Sequence, residues 1–202
     1  MNNVLPLTLS SLLSQHHGLV STKTVQESGL PAHWLSYYTK LGLLERTQYG
    51  VYRLVGSVGS DQDHLLEVML RIPKAVICSL SALAFYQLGT VAPSEIHLAI
   101  SNKARRPKLE YPPLALYYFS PKQFEYGIET YAVGHGQIRI YSKEKTLADV
   151  LHLSHRIERS IFLEALKSYL SRQDRDLKKL FAAARVCLVE QKMRIYTEAV
   201  LA

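Results

Sequence analysis

Cysteine is scarce: Cys78 and Cys187 are the only two in 202 residues. They form neither a Cys-x-x-Cys pair nor a dense framework, so a disulfide scaffold is excluded and two reduced thiols filling core space are expected. Long apolar runs are also missing. The longest, Ala75–Cys78 and Ser79–Tyr86, are short and broken by polar residues, far from the ~20 residues that span a bilayer. Met1–Gln15 has no basic leading region and no small-residue cleavage site, so no secretory signal is expected and the cytoplasm is the expected compartment. Acidic residues are outnumbered, 17 Asp and Glu against 24 Lys and Arg, giving a formal charge of +7 and a pI near 9.4. That balance favours anionic partners, because cationic side chains that meet phosphates release counterions. With 48% hydrophobic residues, the chain has the material for a core, and global disorder is excluded.

Three short helices and a hairpin are expected at the N-terminus. Leu9, Leu12 and Leu13 recur at helical spacing before His16-His17-Gly18, where a glycine suits a helix end. Ser21–Gly29 begins with hydroxyl residues able to cap a second helix and ends in a glycine. Pro31 is well placed to open a third, which runs to Leu41 and stops at Gly42. The pattern then alternates through Leu44 and Arg46, turns at Gln48-Tyr49-Gly50 and continues as Val51–Leu54. Three helices followed by a β-hairpin is the layout of a winged helix-turn-helix, whose third helix enters the major groove of DNA and whose hairpin touches backbone or minor groove.

On that third helix Leu35, Tyr38 and Leu41 are expected to face the core, joined by Trp34 at its edge. His33, Ser36, Tyr37 and Lys40 remain for DNA: hydroxyls and lysine reach phosphates, and His and Tyr donate to base edges or stack. Thr22 and Lys23 sit at the start of the second helix, where backbone N–H groups favour a phosphate. Arg46, Gln48, Tyr49 and Arg53 of the hairpin are expected to grip flanking backbone. The alternative is that these are solvated polar residues on a module that docks protein.

The small, polar Gly56–Ser60 marks the expected boundary, giving domains 1–57 and 58–202, with Asp61 capping the next helix. Gly56-Ser57 with Asp61 and Asp63 also invites comparison with nucleotidyltransferases, whose paired carboxylates hold Mg²⁺. The spacing argues against it: only three residues intervene, and the carboxylates open a helix rather than line a strand. Beyond Pro73, Ser79 is expected to cap a helix through Leu88, closed by Gly89, and strands are expected at 95–100, 114–119, 128–133 and 137–141. Gly134-His135-Gly136 would join the last two as a hairpin. Helices then start at Thr146 and contain Phe162–Leu170 and Leu177–Ala184. The class is therefore α+β, with a mostly antiparallel sheet and C-terminal helices in the second domain.

Lys103, Arg105, Arg106 and Lys108 form the densest basic run and are secondary candidates for phosphate contact. His152 and His155 lie one helical turn apart but lack the glutamate and third ligand of zinc motifs. Glu95 and His97 share a strand face with no nucleophile elbow to use them. No metal, cofactor or catalytic residue is expected.

Four stretches together resemble the AbiE-type antitoxin (AbiEi) family. They are His17–Ser21 with Gly42–Arg46 and Gly50–Leu54; Ile77–Ala84; Phe124–Glu129; and Ile140–Ser142 running into Glu144–Asp149. The resemblance implies an N-terminal domain that binds operator DNA, with inverted repeats, and represses its own operon. It implies a C-terminal domain that counters a nucleotidyltransferase-like toxin in phage defence, without requiring a stable complex. A stand-alone regulator with no toxin partner is the alternative.

Overall fold

The structure, a computed structural model, describes residues 5–16, 18–56, 62–109, 111–133 and 136–201; the Gln48 side chain is outside this set. The chain groups into two compact units, residues 1–73 with 132–138, and residues 74–131 with 139–202. The expected break between residues 57 and 58, the Asp61 cap and the Gly134-His135 part of the hairpin turn lie outside the described residues.

In the first unit the order is α1 (Leu7–Gln15), β1 (Leu19–Ser21), α2 (Thr22–Glu27), α3 (His33–Lys40), β2 (Leu44–Gln48), β3 (Val51–Leu54) and α4 (Asp63–Arg71). Leu9, Leu12 and Leu13 of α1 meet Val20, Val25, Leu35, Leu44 and Tyr52 in one core, with Leu30, Trp34 and Tyr38 packed against it. Each buried aliphatic side chain contributes roughly 1.5–3 kcal/mol. Both α2 and α3 end in the same device. Gly29 and Gly42 take left-handed φ of 72° and 71°, and the next residue's N–H turns back, Leu30 to Val25 O and Leu43 to Tyr38 O. These paired returns satisfy the last carbonyls and stop each helix within one residue. β1 was not apparent in the sequence. Its three residues are all buried, so they show no alternation, yet they pair antiparallel with β3 to give a sheet of order β1-β3-β2.

The second unit contains β4 (Val76–Ile77), α5 (Ser79–Phe85), β5 (Ile96–Ser101), β6 (Leu114–Phe119) and α6 (Pro121–Glu125). The chain continues with β7 (Ile128–Val133) and β8 (Gly136–Tyr141), of which residues 132–138 group with the first unit, and then with α7 (Lys143–His152), α8 (Arg159–Leu170), α9 (Leu177–Val186) and α10 (Glu190–Leu201) of the second. The larger sheet has the order β6-β5-β4-β8-β7. The α+β class stands, but the expectation of a mostly antiparallel sheet is corrected to a mixed one. β4 runs antiparallel to β5, while β5–β6 and β4–β8 are parallel. The physical reason is the connection 102–113: a hairpin needs two to five residues, and a segment of about a dozen is long enough for a parallel return.

Helix starts also shift. Ser142, not Thr146, caps α7 by accepting the Lys145 N–H, and Ser79 is the first residue of α5, with φ of 50°, rather than its cap. α5 stops at Phe85, short of Leu88.

Charged groups are buried in this unit. Lys145 is 0% exposed; its Nζ bonds Asp149 Oδ1 and lies 4.1 Å from the Tyr141 ring centre and 4.8 Å from that of Phe119. Cys187 Sγ donates to the same Asp149 oxygen at 3.3 Å. Burial pushes the Asp149 carboxyl above the usual carboxylate range, against the pull of Lys145. Both cysteines are buried and free.

His97 on β5 is buried beside Tyr117, whose hydroxyl is hydrogen-bonded to His97 Nδ1 at 3.1 Å. Burial pushes its pKa down to about 4. Folded His97 is therefore neutral at pH values where the unfolded chain, titrating near 6.5, already takes up a proton. Its contribution to stability is complete above about pH 6.5 and is lost as pH falls towards 4, amounting to about 2–3 kcal/mol. Urea midpoints at pH 7 and pH 4.5 should show this loss in the wild type and a much smaller one in His97→Gln; parallel pH profiles would refute it.

Candidate nucleic-acid interface

On α3, His33, Ser36, Tyr37 and Lys40 fall at i, i+3, i+4 and i+7, so a 3.6-residue period places them on one face. All four are exposed, while Leu35 on the other side is completely buried. Tyr38 packs its ring edge against Trp34 and against Tyr37, the latter at 5.0 Å. Tyr37 is thereby steadied from beneath while remaining 51% exposed. Thr39 spends its hydroxyl on Leu35 O at 2.7 Å, and Leu41 takes the C-cap position.

α2 is differently engaged. Ser21 Oγ accepts the Thr24 N–H at 3.0 Å. Thr22 donates both its N–H and its hydroxyl to Gly50 O, at 2.8 and 3.3 Å. Two of the leading N–H groups are thus already used inside the protein, and the Thr22 side chain ties α2 to the hairpin turn instead of offering a donor to phosphate. Lys23 stays available: its pair with Glu27 is 3.6 Å long between side chains that are mostly exposed, a contact worth well under ~1 kcal/mol.

The hairpin β2–β3 has a register shift between Arg46 and Gln48, and its turn projects Tyr49, which is 77% exposed. Two guanidinium groups reach that ring. Arg46 lies 4.7 Å from its centre and Arg71, from the last turn of α4, lies 5.6 Å away. Arg71 also donates to the Tyr49 carbonyl. Arg53 is placed otherwise than expected. It bonds Asp63 Oδ2 at 3.3 Å and Glu67 Oε1 at 3.0 Å, with its side chain 23% exposed. A guanidinium balanced by two carboxylates offers little net charge to DNA, so Arg53 is withdrawn from the contact set.

Arg71 had no signal in the sequence, because nothing in the spacing of α4 connects it with the hairpin turn. In the second unit Lys103, Arg105, Arg106 and Lys108 are all exposed on the connection between β5 and β6, and none forms an ion pair among the described residues.

Helix, strand, two helices and a two-stranded wing, with a polar face exposed on the last helix, define the first unit as a winged helix-turn-helix. Within it, residues 8–55 match the sequence profile of a family described as transcriptional regulator, AbiEi antitoxin. No curated protein sequence matches the chain. Among solved structures, the crystal structure of RV2827C protein from Mycobacterium tuberculosis is similar, with a TM-score of 0.54 at 10% identity over 98% of this chain and 83% of that one. This likeness is one of fold. Among the described residues no helix is long and apolar enough to cross a membrane.

Proposed function

We propose that this protein is a DNA-binding transcriptional regulator of the AbiEi antitoxin type, with α3 in the major groove. The observation that carries the reading is the exposed His33, Ser36, Tyr37 and Lys40 face on the last helix of a winged unit, in a segment matching a family of such regulators. Lys40 and Lys23 meet phosphates, Arg46 and Tyr49 lie against flanking DNA, and Lys103, Arg105, Arg106 and Lys108 are secondary phosphate contacts. The operator is an inverted repeat upstream of its own operon, in the cytoplasm, and binding there represses that operon. Following the resemblance, the second unit counters a nucleotidyltransferase-like toxin, without a stable complex between the two.

A mobility-shift titration of the full chain against its own upstream DNA, with unrelated DNA as competitor at two salt concentrations, tests the first part. A saturable, competitor-resistant shift is expected, with affinity falling linearly in log salt. Binding equally erased by unrelated DNA would leave a protein-docking module as the better account.

A further inference from the structure

We infer that Arg71, on α4, is a DNA-contacting residue that acts with Arg46 and Tyr49, and that the wing tip so formed reads a narrow, A·T-rich minor groove beside the half-site. The inference rests on the DNA-binding reading and adds to it a residue outside the family-matched segment, 8–55.

An aromatic ring that is 77% exposed at a turn gains nothing from core packing, so its surroundings decide what it does. Here those surroundings are cationic. The Arg46 and Arg71 guanidinium groups lie 4.7 and 5.6 Å from the ring centre, and the Arg71 bond to the Tyr49 carbonyl anchors the turn to α4. Guanidinium groups placed on an aromatic ring hold it by cation–π attraction and lose little of their own charge.

Arg71 differs from Arg53 in a way that matters. Both meet α4, but Arg53 is neutralised by Asp63 and Glu67, whereas Arg71 forms no ion pair with an acid among the described residues. α4 thus takes one arginine of the hairpin out of play and adds an arginine of its own at the tip. A planar cation fixed beside an exposed ring, at the end of a two-stranded wing, suits a narrow minor groove, whose close phosphates deepen the negative potential that draws arginine in.

The test measures DNA affinity by fluorescence anisotropy for the full-length wild type, Arg71→Ala, Arg71→Lys and Lys40→Ala. Each is titrated on its own upstream DNA with the flank set to A·T, to G·C, or to inosine·cytosine, which keeps G·C major-groove chemistry but removes the minor-groove amino group. The wild type should prefer the A·T and I·C flanks to G·C. Arg71→Ala should bind about tenfold more weakly, with a salt slope lower by about one and no flank preference. Arg71→Lys should keep the salt slope and lose the preference, which also tests the inference if Arg71→Ala does not fold. Wild-type affinity in Arg71→Ala overturns the inference, as does an equal loss on all three flanks, which would make Arg71 a phosphate contact only. So does a flank preference retained by Arg71→Lys. Those outcomes leave the regulator reading standing, supported by weakened binding in Lys40→Ala. If the wild type binds none of the three DNAs, both fail.

Discussion

A chain carrying Tyr37→Ala and Lys40→Ala together is expected to bind its operator about 30- to 1000-fold more weakly while melting within a degree or two of the wild type. The two side chains lie on the exposed face of α3. A direct base contact discriminates by about 1–3 kcal/mol and a phosphate contact adds a salt-dependent increment, so losing one of each amounts to roughly 2–4 kcal/mol. The fold is expected to persist because the buried side of the helix, Leu35 with Trp34 and Tyr38, is unchanged. The single variants should separate the roles. Lys40→Ala should weaken binding on all sequences and lower the salt slope by about one, and Tyr37→Ala should cost more on the operator than on unrelated DNA. Anisotropy titrations at three salt concentrations read both. A double variant that bound within twofold of the wild type would mean that α3 is not the reading element.

The second large effect concerns stability. Asp149→Ala is expected to destabilise the protein by about 3–5 kcal/mol, because Lys145 would keep its buried position, 0% exposed, without its carboxylate. Lys145→Met leaves Asp149 in the same difficulty, with only the Cys187 thiol still donating to it. The double variant Lys145→Met, Asp149→Ala should recover much of the loss, since an apolar pair needs no compensation for lost hydration. Urea unfolding of the four proteins provides the double-mutant cycle. Losses that simply add, with no recovery in the double variant, would show that the two groups are not energetically coupled. DNA affinity serves as a control readout that this buried pair should leave untouched.

How much was legible in advance follows from how strongly each element imprints on its own residues. The helices α1, α2 and α3 were readable because leucine spacing, a hydroxyl at the start and a glycine at the end are local signals. The three aromatic residues of β6 and the Ile, Thr and Val of β7 were enough to place both strands. β1 and β4 were not legible, since three and two buried residues show no alternation and exist as strands only through their partners. α10 was missed because only Met193 and Thr197 are buried along it, too few for an apolar stripe to stand out. The face of α3 was legible for the same reason that its helix was. The assignments of Arg53 and Thr22 were not, because a hydrogen-bond partner on another element is a tertiary fact: the carboxylates that claim Arg53 and the carbonyl that claims Thr22 are remote in the chain.

Those partners have a practical consequence for anyone cutting the gene. The family profile ends at residue 55, and a fragment trimmed there would keep every recognition-helix side chain. It would also lose Asp63 and Glu67, releasing Arg53 as a second cation at the hairpin beside Arg46, and lose Arg71, leaving Tyr49 with one guanidinium neighbour instead of two. Such a fragment would be more positively charged at the wing and less ordered there, a combination that raises attraction to any duplex while blunting the preference for one. A trimmed domain that sticks to all DNA would then report on the missing helix, and not on the selectivity of the intact chain.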